Sequence, residues 1–266
     1  DGEERNGNGW SMAASLLMLS AIGPILWGWW VHRHTTLVHV FFWVVVAWLA
    51  WLVASQMDAW QNRYLAVVLT SCAGVAVLGA RRPGARAWHA VVAGLAAVLL
   101  LPLAESFFSR GDSATTDNLR WVFLAGAASV GILNYLPTRL GPASVSLLIA
   151  VGIELWLLRW SGPEYGHRAA VLLAGLSPWL AALLGSRRRD IGDDSTQLWC
   201  SFRDRFGVVW AWRLREQFNS SSHHRKLGLA LSWRGLRRTD GAPLSREDQT
   251  VAIELLRALM GRFGVG

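Results

Sequence analysis

Charged residues are scarce in this sequence. Only 17% of its 266 residues are Asp, Glu, Lys or Arg and 53% are hydrophobic, whereas about 25% of a typical soluble domain is charged. This deficit excludes an ordinary soluble domain for most of the chain and is typical of a membrane protein. The net charge of +8 comes mainly from arginines in short connections and in the C-terminal part. We therefore predict the lipid bilayer as a partner, and no nucleic acid.

Lysine and cysteine are also nearly missing. Lys226 is the only lysine, so the apolar stretch at residues 169–185 lacks the lysine that would hold retinal as a Schiff base. The two cysteines, Cys72 and Cys200, have no metal-ligand spacing, and a disulfide between them is not predicted. The motifs GxxxxGKS/T, HExxH, CxxC and GxSxG are absent. The sequence therefore lacks the familiar signatures of ATPases, zinc proteases, thiol-redox proteins and hydrolases.

Seven apolar stretches are long enough to cross a hydrocarbon core of about 30 Å, which takes roughly 17 to 25 helical residues. They cover residues 11–31, 36–55, 64–80, 87–104, 121–137, 140–158 and 169–185. The predicted fold is an all-α polytopic membrane bundle of about seven transmembrane helices, followed by a small cytoplasmic α+β domain in helix-strand-helix order. The predicted parts are a short extracytoplasmic segment (1–10), the transmembrane domain (11–186), a basic junction (187–193) and the cytoplasmic C-terminal domain (194–266).

Arginine is unevenly distributed over the connections between these stretches. One set of alternate connections is the richer in arginine, and the other holds most of the acids. The arginine-rich set contains Arg33, Arg81, Arg82, Arg86, Arg139, Arg187, Arg188 and Arg189. Because such connections stay in the cytoplasm, we predict the N-terminus outside and the C-terminal domain in the cytoplasm. The preference for Arg over Lys, with abundant Ala, Gly, Leu and Trp, indicates a GC-rich bacterium and hence its inner membrane.

Tryptophan and small residues suggest how the helices pack. Of the 17 tryptophans, Trp43, Trp48 and Trp51 line the second stretch, where they either face lipid or fill a wide helix interface. The alternative is an aromatic box for a cofactor. Gly74 and Gly131 are among the small residues that would let helix backbones approach closely, since lipid supplies little hydrophobic drive for helix association.

Two polar residues inside the stretches are candidate functional groups, because an unpaired polar group in hydrocarbon is costly. Glu154 lies about one turn before Arg159. It either pairs with Arg159 or reaches the headgroups, and the alternative is a proton or substrate site. Asn134 lies in the last turn of the fifth stretch and is predicted to bond to a neighbouring helix.

Four histidines, His32, His34, His39 and His89, lie at the cytoplasmic ends of their stretches. His39 and His89 could share one depth and face each other, and two such imidazoles can ligate haem or a metal. The alternative is that both simply reach water at the interface. No cofactor is predicted, and haem is the group to test at these two residues.

The C-terminal domain begins with a predicted helix at 194–219. Its aromatic residues recur every three or four positions, but arginines fall in the same stripe. This pattern is typical of a helix that lies on the membrane surface or is held by a partner. Gly207 in the middle of the helix suggests a close contact or a kink. The residues predicted to make this contact are Arg187, Arg188, Arg189, Trp199, Phe202, Phe206 and Trp210.

A strand is predicted at 227–233 from its alternating apolar residues, and a helix with a capping box at Ser245 and Asp248 follows it. A lone strand leaves its backbone groups unpaired. We therefore predict that the domain completes its fold with a second copy or another protein.

These observations favour a non-enzymatic membrane subunit, a scaffold or an assembly factor of a larger bacterial complex. Two alternatives stay open. One is a transporter or permease component that uses Glu154 and Asn134, and the other is a haem-binding or cytochrome c assembly membrane protein that uses His39 and His89.

Overall fold

The computed structural model describes residues 12–57, 59–108, 118–160, 164–186 and 194–264. The predicted N-terminal segment (1–10) and the basic junction (187–193) with Arg187, Arg188 and Arg189 lie outside these residues. We number the elements in chain order. They are α1 (Met12–His32), α2 (Val38–Gln56), α3 (Trp60–Ala76), α4 (Ala85–Leu99), α5 (Leu101–Phe108), α6 (Asn118–Leu133), α7 (Gly141–Trp160), α8 (Glu164–Ser186), α9 (Asp194–His224), β1 (Leu229–Leu231), β2 (Leu236–Arg238) and α10 (Arg246–Met260), with short 3-10 turns at Val77–Gly79 and Gly261–Phe263.

Six helical segments of the described residues are long and apolar enough to cross a membrane, so the protein is a multi-pass helical membrane protein. They are Met12–His32, Val38–Gln56, Trp60–Gly79, Ala85–Ser106, Gly141–Trp160 and Tyr165–Ser186. Helix α6 is apolar but shorter, with 16 residues. It ends before the predicted limit at residue 137 because the chain turns at Asn134 and Tyr135, whose N–H groups close the last turns.

Three indoles attach α2 to three different helices. Each indole N–H donates a hydrogen bond: Trp43 to Nδ1 of His89, Trp48 to the Met18 carbonyl and Trp51 to the Thr70 hydroxyl, over 3.2, 3.1 and 2.9 Å. All three side chains are buried. They therefore fill helix interfaces and do not face lipid, because each polar indole edge finds its partner on a neighbouring helix.

Helices α3 and α6 touch backbone to backbone at Gly74 and Gly131. A Cβ atom built on Gly131 would lie within 2.3 Å of the Gly74 Cα atom. Small residues permit such an approach, which gives dense packing where lipid supplies little hydrophobic drive. The prediction that these glycines bring helix backbones together is confirmed for this pair.

Replacing Gly131 by alanine is expected to lower the free energy of unfolding by about 1–3 kcal/mol, because the methyl group must push α3 and α6 apart. Gly126→Ala in the same helix is the control, since nothing lies within 4 Å of a Cβ at that position. It is expected to be neutral or slightly stabilising, as alanine is the better helix former. Unfolding in mixed micelles measures both changes, and equal effects would refute the close α3–α6 contact.

The residues after the bundle, 194–264, form a unit that we call the tail. Helix α9 is interrupted at Gly207, whose φ and ψ of 77° and −174° are not helical, so the predicted kink is confirmed. The capping box of α10 is confirmed too: the Ser245 hydroxyl accepts from the Asp248 N–H, and the Asp248 carboxylate accepts from the Ser245 N–H.

The prediction of a lone strand is wrong. Strand β1 pairs antiparallel with β2, in a register that places Leu229 opposite Arg238 and Leu231 opposite Leu236. The second strand escapes sequence patterns because it is only three residues long and two of these are arginine. Because β1 and β2 pair with each other, their backbone groups do not require a strand from a second copy or from another protein.

The tail packs on one end of the bundle, which we call the tail end. Three connections between helices form this end: 33–37, 77–84 and 134–140. The Thr36 N–H donates to the Phe263 carbonyl over 3.2 Å, the Arg82 N–H to the Arg262 carbonyl over 2.8 Å, and the Val208 N–H to the Asn134 carbonyl over 2.8 Å. Backbone hydrogen bonds thus join the tail to all three connections. The opposite end of the bundle is called the far end below.

Candidate functional site

The best candidate site surrounds Glu154, which lies in α7 towards the far end and is 0% exposed. Helix α7 is apolar, and Glu154 is the only acid inside its residues Gly141–Trp160. A carboxylate that is fully enclosed among apolar helices must find strong partners, since an unpaired charge in hydrocarbon costs several kcal/mol. Such a residue is a functional candidate in any membrane protein.

Two side chains from other helices bind this carboxylate. Nε of Arg63, in the first turn of α3, donates to Oε2 over 2.8 Å. Nδ1 of His167, near the start of α8, lies 2.5 Å from Oε1. The other ring nitrogen of His167 lies 3.0 Å from the Ala54 carbonyl of α2. Four helices therefore meet at one cluster, which we call the Glu154 network: Glu154, Arg63, His167 and the Ala54 carbonyl.

The positions along the helices explain why these groups meet. Arg63 and His167 stand close to the beginnings of α3 and α8, whereas Ala54 and Glu154 lie near the ends of α2 and α7. Helices that run in alternate directions bring these beginnings and ends to one depth, at the far end. Arg63 and His167 are also mostly shielded, with side chains 13% and 8% exposed. The network is therefore a buried arrangement, and its ion pair is little screened by water.

The predicted partner of Glu154 is wrong. Arg159 does not bind the carboxylate; its guanidinium donates to the Asn118 side chain over 2.8 Å. Full burial also contradicts a carboxylate that reaches the headgroups. Arg159 lies near in sequence but follows the helix to the exposed end, whereas Arg63 comes from a helix 91 positions earlier. The one sequence signal that could have found Arg63 and His167 is their place in the first turns of apolar helices that begin at the level where α2 and α7 end.

The neighbouring helix that Asn134 binds is α9 of the tail. Its side-chain oxygen accepts from the Val209 N–H over 3.0 Å, and its amide nitrogen donates to the Phe206 carbonyl over 3.4 Å. These groups flank the break of α9 at Gly207, where the helical hydrogen bonds are interrupted. Asn134 thereby caps both parts of the broken helix, and it lies at the opposite end of the bundle from Glu154. The two candidate polar residues do not converge.

The aromatic residues of α9 are buried within the chain. Trp199, Phe202, Phe206 and Trp210 are 5% exposed or less. Phe263, in the last turn of the tail, lies with its ring centroid 5.0 Å from both Phe202 and Phe206 and 5.2 Å from Trp210. The Trp210 N–H donates to the Val77 carbonyl at the tail end over 3.0 Å. All four residues are therefore buried inside the chain itself, and the C-terminal turn covers Phe202, Phe206 and Trp210.

His39 and His89 do come together at the tail end. Their ring centroids are 5.8 Å apart, and Nδ1 of His89 accepts the indole N–H of Trp43. A cavity of about 10 Å³ between them has room for roughly one water molecule and is lined also by Thr36 and Trp88. The described residues contain no group of three or more His, Cys, Asp or Glu that could hold a metal. Haem ligation here stays the untested alternative, which a visible absorption spectrum of the purified chain tests.

The tail carries a basic surface around the hairpin. Arg225, Lys226, Arg234 and Arg237 are exposed there, and Arg237 points away from the core because its neighbour Leu236 points into it.

Arg238 lies beside this surface and bridges Asp240 and Asp248 over 2.9 and 3.1 Å. The Ser245 N–H, the Ser245 hydroxyl and the Arg238 guanidinium together hold the pKa of the Asp248 carboxyl below its usual value. Asp248 therefore stays ionised at neutral pH and keeps the start of α10 attached to the hairpin.

Comparison of the chain with protein-family models, with curated proteins and with solved structures finds no match in any of the three.

Proposed function

We propose that the chain crosses the bacterial cytoplasmic membrane seven times, with its N-terminus outside and its tail in the cytoplasm. Helix α6 is counted as a crossing because it packs against α3 through Gly131 and reaches the tail end at Asn134. The connections at the tail end contain Arg33, Arg81, Arg82 and Arg139. This arginine content supports a cytoplasmic tail end.

The proposed function is that of a non-enzymatic membrane subunit or scaffold, which holds a partner protein at the cytoplasmic surface. The observation that carries this proposal is the attachment of the tail to three connections of the bundle by backbone hydrogen bonds and the aromatic cluster around Phe263. A tail held in this way presents its hairpin surface at a fixed place and orientation, and a preorganised surface binds with a smaller loss of entropy.

The chemistry of the hairpin surface favours a partner with an acidic face. Between residues 194 and 264 the tail has 12 Arg and Lys against 7 Asp and Glu, a difference of +5. Four of its exposed basic residues, Arg225, Lys226, Arg234 and Arg237, lie on the hairpin and just after α9. Complementary charge raises the rate of association and selects among partners.

Purification of the full chain from its native membrane in mild detergent, with mass spectrometry of the proteins that accompany it, tests this role. In the variant Arg234→Glu/Arg237→Glu, the amount of partner that co-purifies is expected to fall at least about tenfold, since like charges across an interface are costly. Arg257→Glu, an exposed reversal on α10, is the matched control and is expected to keep it. A chain that migrates alone from the native membrane would refute the proposed role.

A transporter component is the second candidate, and the Glu154 network favours it, since ionisable residues inside a membrane mark pathways for ions or substrates. Uptake of ions, sugars and amino acids into vesicles that contain the full chain tests this candidate. Loss of an uptake activity in Glu154→Gln would support transport. The control is Arg120→Gln, which removes the exposed ion pair with Glu105 and should retain the activity. Asn134 has no place in this path, because its amide binds the tail.

A further inference from the structure

The hydrogen-bond partners of His167 determine where protons must lie in the Glu154 network. Its Nε2 lies 3.0 Å from the Ala54 carbonyl, which can only accept. Nε2 therefore carries a hydrogen. Its Nδ1 lies 2.5 Å from Oε1 of Glu154. In a neutral ring with hydrogen on Nε2, Nδ1 is an acceptor, and an ionised carboxylate is an acceptor as well.

Two acceptors cannot form a hydrogen bond, so this contact needs one more proton. That proton belongs either to the carboxyl group, with a neutral ring, or to the ring, with an ionised carboxylate. The total number of protons on Glu154 and His167 is the same in both cases. With the guanidinium of Arg63 the network then has a net charge of +1, and without the shared proton its charge is zero.

From this geometry we infer that Glu154 and His167 together bind one proton, and that this proton holds α8 against α2 and α7 at the far end. The ligand is a proton and the site is the contact between Nδ1 and Oε1. The site does not depend on the proposed subunit role, since it lies at the opposite end of the bundle from the tail.

The groups around the site make both of its states stable. When the proton leaves, Glu154 and Arg63 remain as a neutral ion pair. The neutral ring of His167 then has a single N–H, which can donate either to Glu154 or to the Ala54 carbonyl, so one of these two contacts is lost. Among the described residues the charged groups that act on His167 are Glu154 from α7 and Arg63 from α3, and α2 contributes the Ala54 carbonyl. The proton therefore controls the contact of one helix, α8, while the pair between α3 and α7 persists.

Glu154→Gln imitates the proton-bound state. A glutamine oxygen can accept from Arg63, and its NH₂ group can donate to Nδ1 of a neutral His167. The variant keeps both contacts and the net charge of +1, but it has no proton to release. It therefore separates loss of the proton from loss of the fold, which is the distinction that the experiment needs.

The experiment follows the full-length chain in lipid nanodiscs as the pH is raised. Nitrogen NMR of histidine-labelled protein reports the protonation of the His167 ring, assigned by the signal that disappears in His167→Gln. Hydrogen exchange of the first turns of α8 reports the helix contact. Wild type and Glu154→Gln are compared at equal pH, which cancels the intrinsic pH dependence of exchange.

We expect the two proteins to exchange alike at low pH. Once wild type has lost the proton, its α8 start is expected to exchange at least about tenfold faster than that of Glu154→Gln, the effect of one lost buried hydrogen bond. The His167 signal of wild type should change over the same pH range, and that of Glu154→Gln should not. Titration of His167 in both proteins alike, or an α8 start that exchanges equally in both at every pH, would overturn the inference.

Discussion

Replacement of Glu154 by leucine is expected to lower the free energy of unfolding by about 3–5 kcal/mol, because it leaves the Arg63 guanidinium buried without its countercharge. His167 loses its partner in the same step. Glu154→Gln keeps an acceptor for Arg63 and a donor for His167, so its effect is expected to be about 1–2 kcal/mol. Equilibrium unfolding in mixed micelles, followed by circular dichroism, measures both variants.

Two further variants test whether the buried, unpaired charge of Arg63 causes this loss of stability. The double variant Glu154→Leu/Arg63→Met removes both charges and is expected to recover most of the loss, since apolar groups can replace a buried ion pair at little cost. Glu105→Leu is the matched control, because its pair with Arg120 is exposed, with side chains 49% and 41% accessible. It should change stability far less than Glu154→Leu does, because an exposed ion pair contributes little. Equal losses in Glu154→Leu and Glu105→Leu would contradict the special role of burial.

Gly207→Ala is expected to detach the tail from the bundle and to destabilise the docked state by about 2–5 kcal/mol, the sum of backbone strain and overpacking. The backbone at Gly207 has φ 77° and ψ −174°, which an L residue rarely adopts. A Cβ atom there would also lie 2.2 Å from the amide nitrogen of Asn134. Limited proteolysis of the full chain should then release the tail fragment faster than in wild type.

Gly241→Ala provides a control for a positive φ without a nearby side chain. Gly241 has the same φ of 77°, but nothing lies within 4 Å of a Cβ at that position. This variant is expected to lose only about 1–2 kcal/mol and to leave the tail docked. If both variants released the tail equally, backbone strain would explain the result and the contact with Asn134 would not matter.

Much of the membrane part could be predicted from sequence alone. For the six spanning segments the predicted limits differ from the observed ones by four residues at most, as at Tyr64 against Trp60. Apolar runs predict such segments well because every backbone group of a helix is satisfied inside the segment itself. The kink at Gly207 and the cap at Ser245 were also predictable, since both depend on a few neighbouring residues.

The candidate site was predictable only in part. The sequence pointed to Glu154 as an acid inside an apolar helix, and it paired Glu154 with its nearest arginine in the chain. Arg63 and His167 escaped because the rotation and order of four helices decide which side chains share a depth. Strand β2 escaped for a related reason: its three residues show no alternation, and only pairing with β1 makes them a strand.

The sequence by itself determined the apolar helices, their approximate ends, the arginine-rich connections and the caps, because each depends on local composition and spacing. Only the tertiary structure decided that the Glu154 carboxylate binds Arg63 and His167, that Asn134 caps the broken helix of the tail, and that Trp199, Phe202, Phe206 and Trp210 are buried. The physical reason is that these contacts join groups from distant parts of the chain, and packing of whole helices is what brings them within a few ångströms of each other.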